Sequence, residues 1–316
     1  ANTTGGYNTA VGAQALSANT TATSNTAVGR EALAANTTGS DNISMGNSSL
    51  LANTTGSKNV GLGRSALFAN TTGVNNTALG YEAMRTNTTA NSNVAVGYRA
   101  LYDNTAGTAN NAFGYQSLYG NTTGTNNSAV GTNALFANTT WGYNTAVGRD
   151  ALRYNTTGGN NTALGRSALH ATTTGAYNVA VGKDAMVTST TGAETVAVGG
   201  FAARYTTTGG ANVSVGYSAG MNMTTGVNNV VLGSMAGTYN PAIARGAALT
   251  TGSNNILIGK GCNMTSATGS GAHGIGYDIE CAAGYITLGY NASDIRTLHG
   301  NVTWATVSDE RYKKDI

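Results

Sequence analysis

Charge is what this sequence has least of. Asp, Glu, Lys and Arg make up 9% of its 316 residues, against about 25% in typical globular domains. Scarce charge with abundant Asn, Thr and Ser could signal disorder, but the strict period described below argues against it. The few cations form no basic tract, so nucleic acid is not an expected partner. No apolar run approaches the ~18 residues of a spanning helix, so membrane insertion is not expected. Proline occurs once, at Pro241. Cysteine occurs twice, at Cys262 and Cys281. Two are too few for a disulfide framework, and no CxxC or Cys/His metal spacing is present. They read as small buried thiols, with a disulfide or an interchain link as the alternative. The chain opens at Ala1, mid-pattern and without Met, which suggests a fragment or a processed chain.

Catalytic groups are equally sparse. Glycoside cleavage needs two carboxylates roughly 5–10 Å apart. Here Glu31, Asp41, Glu82, Asp103, Asp150, Asp184 and Glu194 are dispersed along the body. Glu31, Glu82, Asp150 and Asp184 share one repeat position and read as a sparse solvated row. The three histidines, His170, His273 and His299, are separated in sequence. His170 reads as an exposed stripe member, and His273 as a packed residue that a threefold assembly could turn into a ring of imidazoles. No enzyme activity, cofactor or resident metal is expected.

What the chain has in excess is glycine, 45 residues of it, and the spacing is regular. Gly12, Gly29, Gly46, Gly63, Gly80, Gly97, Gly114, Gly131, Gly148, Gly165, Gly182, Gly199, Gly216 and Gly233 stand 17 residues apart without a slip. The next comparable glycine, Gly259, follows after an insertion that holds "GTYNPAIARGA" (237–247). Taking each glycine as an anchor, the residue before it is apolar, from Val11 and Val28 to Leu232. Two before is nearly always small, as in Ala10 and Ala27, and four before is Asn in all these coils except that of Thr195. Three after is Ala or Ser; four after is Leu or Met from Leu16 to Met186, drifting to Ala203, Gly220 and Gly237. Eight after is Thr from Thr20 to Thr224.

A unit of 17 residues is too short for two packed helices. Alternation through "NTAVG" has the period of a strand, a second short stretch such as "SALH" (167–170) returns on the far side, and "NTTG" makes the turn. The expected fold is all-β: a parallel β-solenoid (β-roll) of 17-residue coils that share one core by stacking. Each anchor glycine marks a turn or a close backbone approach, and Asn amides bond one another along a corner. The alternation places Thr/Val and Val/Leu on one face of the strand and Asn with Ala on the other. The core is then meagre, and the small-residue Asn/Ala face is expected to pack on copies of the chain, three around an axis. Three regions follow: the regular shaft (1–236), an insertion with irregular terminal coils (237–300), and a junction (301–316). The insertion and the coils after Gly259 are candidates for a distinctive local surface.

Directly after the anchors runs a richer row, which includes Arg64, Tyr81, Tyr98, Tyr115, Arg149 and Arg166. Tyr and Arg are favoured at binding surfaces, and such a stripe is a receptor-binding candidate able to stack on sugar rings. Long amphipathic side chains shielding a solenoid face would look the same. The Asn-x-Thr triplets match glycosylation sequons, but a 17-residue recurrence is better explained by turn geometry. The Thr ladders also raise an ice-binding solenoid, against which the placement of "NTT" at a turn counts.

The phrase "N-[TSV]-A-[VL]-G-x-x-A-L", as in Asn144 to Leu152, resembles the repeat of trimeric autotransporter adhesin heads of the YadA type. That resemblance implies a left-handed parallel β-roll assembled as a homotrimer. At the other end, "ITLGYNASDIRTLHGNVTWATVSDERYKKDI" (286–316) resembles the shaft end of phage tail fibres and tailspikes, followed by the start of an endosialidase-type intramolecular chaperone. Ser308, Asp309, Glu310, Arg311, Lys313 and Ile316 fit the "SDERLKxxI" signature that opens it. The resemblance implies chaperone-driven trimerisation and self-cleavage, with Ser308 and Asp309 as the candidate junction. The expectation is a homotrimeric fibre shaft in a virion tail, extracellular, that contacts other tail proteins and a host cell-surface glycan or protein receptor. The alternative is a bacterial trimeric surface adhesin head at the cell surface.

Overall fold

A computed structural model describes residues 2–238, 247–291, 293–300 and 305–306. It is all-β, a parallel β-solenoid of about 16 turns with a spacing of about 17 residues. Two compact units compose it, Ala1–Asn161 and Thr162–Ile316. In the first, nine three-residue strands run from β1 (Thr9–Val11) to β9 (Thr145–Val147). Each pairs in parallel with the next at the 17-residue step, as Thr9 with Thr26 and Ser128 with Thr145. In the second, β10 (Thr162–Leu164) begins the same series, which reaches β15 (Ile256–Ile258) after the longer step from Val230 to Ile256. Then β17 (His273–Tyr277) and β19 (Tyr285–Tyr290) continue in parallel. The series then turns antiparallel, with β20 (Ser293–Leu298) pairing β19 and β21 (Ala305–Thr306) pairing β20. A small separate pair joins β16 (Asn263–Met264) to β18 (Glu280–Cys281).

Only one side of each coil is a strand. The far side, where the second short stretch returns, carries left-handed backbone at alternate residues. Leu33, Leu67 and Leu101 have φ of 53°, 52° and 53°, and the residues two before them are left-handed too. Such non-glycine residues cost roughly 1–2 kcal/mol each. The alternation lets every coil bond its neighbours: Leu67 N–H donates to Ala83 O at 3.0 Å and Ala69 N–H to Arg85 O at 3.0 Å, while Glu82 N–H reaches Arg64 O at 3.0 Å. Backbone groups that would otherwise be buried unpaired are satisfied coil to coil. The anchor glycine connects the two sides. Gly97 has φ +136°, and a Cβ there would lie 2.7 Å from the carbonyl carbon of Gly114, so only glycine fits.

The strand faces are the reverse of the expected arrangement. The Ala row points inward, with Ala27, Ala78, Ala95 and Ala112 fully buried, and so do the Asn residues four before the anchor. The Thr/Val and Val/Leu rows point outward. The reason is the narrow coil. A column of Leu33, Leu50, Leu67, Met84 and Leu101 already fills the interior. A Cβ on Gly61, in the Ala row, would meet Ser49 Oγ at 2.6 Å and Leu50 Cδ1 at 3.3 Å. Where the Leu column is full the row therefore holds only Ala, Ser or Gly and the larger side chains stay outside; Val231 and Leu257 enter it, fully buried, where the column has shrunk to Gly237.

Asn tolerates this interior because stacking satisfies it. Asn70 Nδ2 donates to Asn53 Oδ1 at 2.8 Å, and Asn87 Nδ2 to Asn70 Oδ1 at 2.8 Å. A second ladder runs through the backbone, where Asn76 N–H donates to Asn59 Oδ1 at 3.0 Å. Thr71 Oγ1 donates to Thr88 O at 3.1 Å in a third. In the second unit the first ladder lapses. Thr172, Ser189 and Thr206 take the Asn position with buried hydroxyls that lack a partner, and then come buried Met223 and Leu249. The core becomes apolar while conserving volume. As the Leu column shrinks to Ala203 and Gly220, Met223 fills in, and a Cβ on Gly220 would lie 2.7 Å from Met223 Cε.

Candidate functional site

The outward strand face is the first candidate surface. It exposes Ile43 (42%), Met45 (46%), Leu79 (44%), Phe113 (40%) and Val130 (42%) in the first unit, and Leu164 (46%) in the second. From β1 to β15 none of these outward rows carries a charged residue. Single exposed apolar residues are normal on protein surfaces, but a contiguous, charge-free stripe marks an interaction surface. The small-residue Asn/Ala face expected to do this work is buried and unavailable.

No protein-family model, curated protein or solved structure matches this chain.

The second surface lies in the first unit, just past the anchors. Tyr81, Tyr98 and Tyr115 stack on successive coils, with ring centroids 5.5 and 5.1 Å apart and planes within 9°. Four residues further along each coil a second column stacks Tyr102, Tyr119 and Phe136, both steps at 5.1 Å. Arg99 joins the columns. Its guanidinium lies 5.2 Å from the Tyr98 ring and 5.3 Å from the Tyr102 ring, and its Nε donates to Glu82 Oε2 at 2.7 Å. That hydrogen bond holds Arg99 more firmly protonated than a free guanidinium. Arg64 caps Tyr81 at 5.8 Å, and Arg85 lies between Phe68 and Tyr102 at 5.2 and 5.9 Å. The Glu82 and Arg99 side chains, 13% and 32% exposed, form a floor below the Tyr81–Tyr115 ridge.

Of the receptor candidates, Arg64, Tyr81, Tyr98 and Tyr115 form one continuous column. Arg149 is separated from it by Thr132 and projects beside Asp150, with Nε donating to Oδ2 at 3.0 Å. Arg166 is exposed on the second unit. The expected use of the tyrosines changes with the geometry. Their faces cover each other, so the column offers ring edges and phenol hydroxyls to a ligand rather than open faces for sugar rings. The sequence signal that links the second aromatic column to the first is the pair of aromatics within one phrase, "YRALY" (98–102) and "YQSLY" (115–119).

The acidic row is less solvated than its spacing implied. Asp150 and Asp184 are each 7% exposed. Asp150 also accepts from Arg153 Nη1 at 2.9 Å, and Glu31 bonds Arg30 at 2.8 Å. The Arg30 hydrogen bond, helped by Ser48, lowers the Glu31 pKa. Burial raises the Asp103 carboxyl; it also raises the Tyr119 phenol, helped by the nearby Asp103 charge. His170 is half-buried. His273 contacts His299 with centroids 4.6 Å apart, and burial followed by the His299 charge lowers the His273 pKa. Among the described residues, no cluster of three or more His, Cys, Asp or Glu is placed to hold a metal ion. Nor is any described helix long and apolar enough to cross a membrane. Most of the 237–247 insertion lies outside the described residues, as do Ser308 and Asp309.

Proposed function

We propose that this chain is the shaft of a homotrimeric phage or phage-like tail fibre that presents a host-binding surface from the virion tail. The observation that carries the reading is the charge-free apolar stripe on the outward strand face. A lone chain leaves that stripe in water; three copies turned toward a common axis cover it. Fully burying a Val or Leu contributes about 1.5–3 kcal/mol. These side chains are already half-covered, so each gains less, but the gain recurs in coil after coil. The Tyr/Arg columns then supply phenol hydroxyls, guanidinium groups and ring edges to a host glycan or protein receptor. The "SDER" terminus supports the fibre reading, with self-cleavage at Ser308 and Asp309 as its one chemical step. The "NTAVG" phrase supports a bacterial surface adhesin as the second reading, with the same assembly.

Light scattering on purified protein tests the assembly. The expected mass is three times that of the chain, and the double variant Leu79→Lys/Phe113→Lys is expected to lose the trimer while each chain keeps its β-sheet circular dichroism. A monodisperse wild-type monomer at micromolar concentration would remove the basis of the proposal.

A further inference from the structure

The two cysteines belong to neither surface, yet the fold brings them together. Cys262 and Cys281 are both fully buried, with their sulfurs 3.5 Å apart in an S–H···S contact. They sit near the pairing of β16 with β18, where Met264 stands opposite Cys281. Cys262 takes the position three after the anchor Gly259, which is Ala or Ser in the regular coils. The inward strand row, Ala in most coils, is Gly274 at this level. A Cβ on Gly274 would collide with Cys281 Sγ and come within 2.8 Å of Cys262 Sγ. The space a methyl group occupies elsewhere is taken here by two thiols.

We propose that Cys262 and Cys281 are an intramolecular disulfide site that staples the terminal coils of the second unit. A disulfide bond is about 2.05 Å long, so the sulfurs must close by roughly 1.5 Å, and it is the missing side chain at Gly274 that accommodates both of them. The oxidant is a low-molecular-weight disulfide. One cysteine thiolate attacks it, forming a mixed disulfide and expelling one small thiolate. The second cysteine thiolate then attacks the protein sulfur and expels the other. Both expelled thiolates take up the protons the cysteines gave up. Two protein thiols lose two electrons, and one small disulfide becomes two thiols.

The timing follows from the environment. The hydrogen bond to Cys262, and then burial, push the Cys281 thiol far up, so in the folded chain it stays protonated and poorly nucleophilic. The bond therefore forms while these coils are still folding. Once formed, it closes the loop between the two residues and holds the coil from which the antiparallel β19–β20 hairpin extends, restricting the unfolded ensemble of that end.

The test refolds the full chain from denaturant in a mixed oxidised and reduced glutathione buffer, followed by non-reducing digestion and mass spectrometry. The expected product is a Cys262–Cys281 linked peptide pair, lighter by two hydrogens than the separate thiols. Folded, reduced protein given the same buffer is expected to keep both thiols free. Cys262→Ser, a residue that Ser49 and Ser117 show is accepted at this position, is expected to lose the pair. Hydrogen exchange in β17–β19 is expected to slow on oxidation of the wild type and to be unchanged in that variant. Free thiols after oxidative refolding, glutathione adducts alone, or a link between chains would overturn the proposal.

Discussion

Replacing Asn87 by Ala tests whether amide ladders hold the first unit together. The substitution removes three hydrogen bonds: Asn87 to Asn70 Oδ1 at 2.8 Å, Asn87 to Ala90 O at 3.2 Å, and Asn104 to Asn87 Oδ1 at 2.9 Å. Their partners are not equally harmed. Ala90 O keeps the Asn76 amide at 2.8 Å, and Asn104 Nδ2 keeps Gly107 O at 2.9 Å. What remains is Asn70 Oδ1, buried without its donor, and one unpaired amide hydrogen on Asn104. Each buried unsatisfied group costs about 1–3 kcal/mol, so the total is on the order of 2–6 kcal/mol. Urea unfolding at 25 °C measures it, and hydrogen exchange should localise the loss to the coils of Asn70 and Asn104, because stacked coils couple mainly to their neighbours. Thr89→Ala, at an exposed position one residue beyond Thr88, is the control and is expected to stay within about 0.5 kcal/mol. If Asn87→Ala costs no more than that control, the ladder contributes nothing to stability and the account of the buried amides is wrong.

Three other outcomes are expected. Gly97→Ala combines a disallowed backbone angle, about 1–3 kcal/mol, with overlap against the next coil, about as much again, so thermal unfolding should show a loss of at least about 2 kcal/mol. Met223→Ala opens a cavity in the second unit and should cost about 2–5 kcal/mol by the same measurement. Asp103→Asn acts through pH. Burial raises the Asp103 pKa above its ordinary 3.8, so between that value and the raised one the folded state binds the extra proton, and stability falls as pH rises through the window. The variant should therefore be more stable than wild type at pH 7 and equal to it well below pH 3.8, as followed by denaturation at both pH values.

The 17-residue spacing was enough to establish the coil, the parallel stacking and the anchor glycines. Equal spacing puts like residues over like residues, and stacked repeats can then share one continuous core. The drift from Leu to Ala203, Gly220 and Gly237 also carried a legible trace of left-handed backbone, since Gly220 and Gly237 adopt φ of +58° and +65° there. Which way the strand faces was a different matter. Alternation separates Asn/Ala from Thr/Val and Leu, but it is symmetric to inside and outside. The choice was made by volume: a narrow coil already filled by Leu33, Leu50 and Leu67 admits Ala27 and Ala78 and excludes Val28 and Leu79. Tertiary structure alone also joined Tyr98 to Tyr102 through Arg99, and Cys262 to Cys281 across Gly274, because those contacts depend on where successive coils place their side chains.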